Sequence, residues 1–146
     1  MQITISGRED TQIDIIAVNR SYPYQQDYWD GNWLNCEIKV NIPGYTAAFP
    51  ADLRTDEFQC FMVDLISIDS NLNGTANFRS MDSYIDLTCK ITKTGILEWE
   101  CRTSYPPFTG ANLSFSFTSD QSFLPHLIKQ LEMLIETYPV IGNPND

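Results

Sequence analysis

The sequence predicts an α+β fold: a curved antiparallel sheet of about seven to eight strands packed on a long C-terminal helix, with one further helix in mid-chain. Three observations carry that reading. Apolar and polar residues alternate through most of the chain, as in strands with one covered and one wet face. Short turns containing Gly or Pro join several of these segments, which makes the neighbours antiparallel. Two stretches abandon the period of two for helical spacing.

In chain order, Ile3 and Ile5 alternate with polar residues, and Gly7-Arg8-Glu9-Asp10 reads as a turn into a second strand, Gln12 to Arg20. The clearest alternation is Leu34, Cys36, Ile38, Val40 and Ile42, after which Pro43-Gly44 turns the chain into Tyr45 to Phe49. Phe58, Phe61, Met62, Leu65 and Ile66 then share a helical face, with Thr55 as N-cap and Asp56 and Glu57 complementing the helix dipole. A short strand is expected at Thr75 to Phe78. Ile85, Leu87, Cys89 and Ile91 alternate, Lys93-Thr94-Gly95 forms a hairpin loop, and Leu97, Trp99 and Cys101 alternate on the return. After Pro106-Pro107, Leu113, Phe115 and Phe117 form one more strand. Leu124, Leu127, Ile128, Leu131, Leu134, Ile135 and Tyr138 follow helical spacing throughout. Ser119, Asp120 and Ser122 offer capping oxygens, and Ser122 as the cap would make Pro125 tolerable in the first turn. Pro139 stops the helix, and residues 139–146 read as a frayed tail. One domain, 1–146, accommodates all of this, since a chain of this length buries roughly 68–70% of its unfolded surface.

Composition narrows the partners. Nineteen acids against nine Lys plus Arg give a net charge of −10. Phosphate backbones and anionic membranes repel such a surface, and a basic protein is drawn to it. Acidity for solubility alone is the competing explanation. The segment MQITISGRED has no apolar region of the secretory kind, and no run approaches the ~20 apolar residues of a membrane span, so a cytoplasmic protein is expected. Cys36, Cys60, Cys89 and Cys101 are far apart, with no C-x-x-C. Three fall on apolar strand phases, so buried free thiols are expected, with no metal and no cofactor.

Little in the sequence suggests catalysis. The single histidine, His126, lies opposite the apolar stripe of the last helix and should face solvent. Paired carboxylates could do acid–base work at Asp27 and Asp30, or at Glu98 and Glu100. The first pair lies in a loop, where Asp30-Gly31-Asn32 reads as a turn, and the polar phase of one strand explains the second. The most unusual stretch is Tyr22 to Trp33, with five aromatics, two acids and no base. Trp33 is assigned to the core at the start of a strand. Tyr24, Tyr28 and Trp29 fit either local packing or an exposed binding loop, because Tyr and Trp supply rigid contact area with a polar handle. The candidate partner-binding residues are therefore Tyr24, Asp27, Tyr28, Trp29 and Asp30, with Glu98 and Glu100 as a second acidic surface.

Two stretches resemble the WapI-like bacterial immunity proteins. One is Tyr22-Pro23 followed by Asp30-Gly31-Asn32-Trp33-Leu34, similar to an aromatic-Pro and then D-x-N-W-L pattern leading into a strand. The other is Phe115-Ser116-Phe117 with Asp120-Gln121-Ser122-Phe123-Leu124, running into a helix that ends at Tyr138-Pro139. The resemblance implies a cytosolic antitoxin that occludes the toxic C-terminal domain of a contact-delivered protein, often a nuclease. The motif residues themselves look like fold determinants. A protein-binding adaptor, or a small-molecule binder using the concave face of the sheet, are the alternatives.

Overall fold

Strand pairing divides the chain into two halves of the same design in the computed structural model, which describes residues 1–146. The first half runs β1 (Gln2–Ser6), β2 (Gln12–Arg20), the short α1 (Tyr28–Gly31), β3 (Trp33–Ile42), β4 (Tyr45–Arg54) and α2 (Thr55–Asn71). The second runs β5 (Thr75–Arg79), β6 (Ile85–Ile91), β7 (Ile96–Tyr105), β8 (Ala111–Asp120), a 3-10 turn at Gln121–Phe123 and α3 (Leu124–Thr137). Each half folds its strands into an antiparallel meander, ordered β1-β2-β3-β4 and β5-β6-β7-β8.

The α+β class holds, but the single sheet expected from the sequence is two sheets of four. The 17-residue α2 explains the difference. Spanning roughly 25 Å at 1.5 Å per residue, it carries the chain away from the β4 edge, so β5 starts a new sheet instead of pairing with the old one. Period-2 alternation says which side chains face inward and nothing about which strands are neighbours.

One apolar cluster runs through both halves. From α3 it takes Leu124, Leu127, Ile128, Leu131 and Leu134. From α2 it takes Phe58, Phe61, Leu65 and Ile68, whereas Ile66, expected on that face, is 40% exposed. Leu65 and Ile68 already fill the inward side, and Ile66 lies ~100° round the helix from Leu65. An aromatic stack continues the cluster into the second sheet, with Phe61 edge-on to Trp99 and Trp99 parallel to Phe117 at 5.9 Å. The two sheets meet where Gly7 packs on Phe117, so closely that a Cβ on Gly7 would lie 2.3 Å from the ring. There the Arg8 N–H donates to the Thr118 carbonyl at 3.0 Å.

Each helix cap lies one residue from the expected position. At α2 the cap position is Arg54 rather than Thr55, and Glu57 accepts the Arg54 backbone N–H at 2.8 Å, the reciprocal half of a capping box. Before α3, Asp120 is the one of the three offered capping oxygens that is used, accepting the Ser122 N–H at 2.9 Å at the head of the 3-10 turn, while α3 itself has Phe123 and not Ser122 at its cap position. Cys36, Cys89 and Cys101 are buried, which pushes each thiol up to about 12, while Cys60 is exposed on α2. No helix is long and apolar enough to cross a membrane.

Candidate functional site

The aromatic, acidic stretch between β2 and β3 folds around a cation that lies twenty residues further along the chain. Arg54, at the end of β4, is fully buried. Its guanidinium lies 5.2 Å from the Tyr28 ring, 5.5 Å from Trp29 and 5.0 Å from Trp33, within cation–π range of all three. It pairs with Asp56 at 2.9 Å and donates to the carbonyls of Tyr28 and Trp29. A loop with five aromatics and no base is the complement of this buried charge, which the sequence reading did not identify. Trp33, assigned to the core from sequence, is half-buried and faces this guanidinium. The strand phase explains it: Leu34, not Trp33, points inward.

The tail is docked rather than frayed. Asn32 is fully buried and clamps it, its side-chain amide donating to the Ile141 carbonyl at 2.9 Å and its oxygen accepting the Ile141 N–H at 3.0 Å. The Trp29 indole N–H reaches the Pro144 carbonyl at 3.3 Å, and Arg20 donates to the carbonyls of Gly31 and Pro139. The backbone could not come this close past larger residues. A Cβ on Gly31 would sit 2.5 Å from Ile141, and one on Gly142, at φ +72°, 2.4 Å from the Tyr28 nitrogen. The tail's composition is that of a loop and predicts fraying, because its partner, Asn32, lies more than a hundred residues away.

Five candidate residues thus lie together on one loop, with different work to do. Asp27 caps α1 by accepting the Asp30 N–H at 3.0 Å. Tyr28 is partly buried, edge-on to Trp29, and its hydroxyl is pushed above the usual tyrosine range by burial and by Asp56. Tyr24 is 95% exposed and Trp29 is 48% exposed, and with Tyr22 they leave an aromatic surface flanked by the exposed Asp27 and Asp30.

Glu98 and Glu100 belong to the other half, on the outer face of β7. Their cross-strand neighbours are Lys90 and Thr118 for Glu98, Thr88 and Ser116 for Glu100. Neither forms an ion pair, whereas Arg102 on the same face does so with Asp86. Both carboxylates border a cleft of about 600 Å³ whose far wall is formed by the turns of the first sheet, including Arg8, Glu9 and Pro43. The structure therefore yields two acidic surfaces, one aromatic and one beside a cleft, and does not merge them into one site.

His126 is exposed, and its polar neighbour is Gln130 at 3.4 Å. It lies at the rim of a smaller cavity of about 280 Å³ between α3, β1 and β7, lined by Leu97, Trp99, Leu124 and Leu127. The Trp99 indole nitrogen is buried without a hydrogen-bond partner.

Two solved structures share the architecture. A chain from the crystal structures of Trypanosoma brucei MRP1/MRP2 matches with a TM-score of 0.52 at 8% identity, over 95% of this chain and 85% of that one. A chain from a guide-RNA-binding protein complex bound to a gRNA matches with a TM-score of 0.50, also at 8% identity, over 93% and 88%. At this identity the likeness is one of fold. No curated protein matches in sequence. The profile of the immunity protein WapI-like family matches residues 3–139, nearly the whole chain, and takes in the aromatic loop, both sheets and α3. With both motif stretches inside that match, the chain belongs to the immunity protein WapI-like family.

Proposed function

We infer that this chain is a cytoplasmic antitoxin that binds a cognate toxin domain, basic and of nuclease type, and blocks it without catalysis of its own. Membership of the immunity family across residues 3–139 carries the reading. Charge supports the kind of partner. A surface with a net charge of −10 attracts a basic domain, and a nuclease domain must itself attract phosphate. The exposed contacts available for such a partner are Glu98 and Glu100 at the cleft, and Tyr24, Asp27, Trp29 and Asp30 at the loop. Tyr28 supports the loop from beneath, holding the Trp29 ring edge-on at 5.0 Å.

Co-expression with the toxin domain encoded by the neighbouring gene tests the function directly: cells survive with this chain and die without it. Toxicity that persists in its presence rejects the reading. Charge attraction further requires that affinity fall as salt rises, because screening weakens attraction between exposed charges. Equal affinity at low and physiological salt argues against a basic partner.

A small-molecule reading has one observation behind it, the cavity of about 280 Å³ under α3. That is just below the ~300 Å³ at which ligand pockets begin, and the Leu97, Trp99, Leu124 and Leu127 side chains that line it belong to the core. Nucleic-acid binding, suggested by one fold neighbour's bound gRNA, is opposed by the excess of acids.

A further inference from the structure

An open sheet edge can accept another strand, so proteins blunt their edges. This chain has four edges, and three are blunted. β1 is five residues long, and its Thr4 N–H donates to the Gln130 side chain of α3 at 2.9 Å. β5 is equally short, and its Asn77 N–H donates to Asp64 of α2 at 3.3 Å. β4 carries Pro50 in mid-strand, and its Phe49 stacks on Tyr105. β8 differs from all of them. It runs ten residues without proline or lysine, in unbroken register with β7 from Asp120 to Ala111.

Only one end of that edge is in use. The Thr118 carbonyl accepts the Arg8 N–H, so the peptide groups of Thr118 point away from β7. Alternation then turns those of Ser116, Ser114 and Asn112 outward as well, with no further strand beyond them. The 600 Å³ cleft lies along this edge. A strand laid there would send alternate side chains to two different surroundings. On the outer side stand Glu98, Glu100 and the hydroxyls of Ser116 and Thr118, and on the inner side stand the half-buried Phe115 and Ile42. Arg8 is the one base lining the cleft, against Glu9, Glu98 and Glu100, and Lys90 faces Glu98 from β6.

We propose that the open edge of β8 receives an extended segment of a protein partner, with alternating basic and apolar side chains, as a fifth strand of the second sheet. The identity of that partner as the toxin rests on the immunity reading; the edge itself does not.

Amide hydrogen exchange of the full chain with and without the neighbouring-gene toxin domain reads the edge directly. The toxin should slow exchange at Asn112, Ser114 and Ser116. In Ser114→Pro/Ser116→Pro the two outward donors are lost while the β7 ladder keeps its own, and affinity should drop by about tenfold or more. Glu98→Lys/Glu100→Lys, which leaves the backbone untouched, should weaken binding and flatten its salt dependence. Toxin binding with these amides still exchanging freely, and with both variants unaffected, overturns the strand proposal while leaving the antitoxin reading intact. If the toxin domain does not bind at all, the antitoxin reading fails and the edge is tested with a peptide of alternating Lys and Val. Slowed exchange with that peptide, and none with its N-methylated form, supports the edge. The same exchange with both peptides, or with neither, overturns it.

Discussion

Replacing Arg54 with alanine should be among the most damaging single changes in this chain, although the residue is charged and not part of the apolar cluster. The guanidinium is fully buried, and its loss removes an ion pair with Asp56, two donors to the Tyr28 and Trp29 carbonyls, and the charge against which three aromatic rings pack. Breaking one side of a buried pair costs about 3–5 kcal/mol, and the cation–π contacts add up to about 2 kcal/mol where the charge is desolvated. The Asp56 side chain is 21% exposed and can partly rehydrate, which offsets some of that loss. A net loss of about 3–5 kcal/mol is expected, a large share of the ~5–15 kcal/mol that holds a domain of this size folded. Arg54→Lys keeps the charge but not the planar fork, and should fall between wild type and alanine. Urea unfolding followed by tryptophan fluorescence measures this. Trp29 and Trp33 sit on the guanidinium while Trp99 lies in the core, so the native spectrum should shift as well. A loss under about 1 kcal/mol with an unchanged spectrum would refute the claim that this cation organises the loop.

Further outcomes follow from the same structure. Leu131→Ala empties a fully buried site on α3 and should cost about 2–5 kcal/mol by the same unfolding assay; a near-neutral result would mean the cluster can collapse around it. Gly142→Ala meets both a positive φ and the Tyr28 backbone, so it should release the tail, seen as faster exchange of the Ile141 amide. Burial pushes the Glu57 carboxyl up to about 7, although the N–H groups of Arg54 and Met81 favour its charged form. An unfolded glutamate titrates near ~4.3, so between these values the folded state holds the extra proton. This group's contribution to stability is therefore complete below about pH 4 and is lost as pH rises through about 7. Carboxyl NMR should find its midpoint near 7, and a midpoint in the ordinary glutamate range would show the site to be better solvated than described.

Much was legible in the sequence because it depends on local periodicity. The alternation of Leu34 to Ile42 specified a strand and its inward face, and the spacing from Leu124 to Leu134 specified a helix and its buried stripe. Two motif residues are legible by the same local logic: Leu34 on the inward strand phase, and Asp120 as a capping oxygen ahead of the last helix. Other features depend on which distant segments come together, and periodicity carries no record of that. Two sheets instead of one, the docking of residues 139–146 on Asn32, and the burial of Arg54 among rings twenty-odd residues upstream were decided by tertiary packing alone. So was the exposure of a full-length β8 edge beside Glu98 and Glu100, because a strand's pattern is the same whether or not it has a second neighbour.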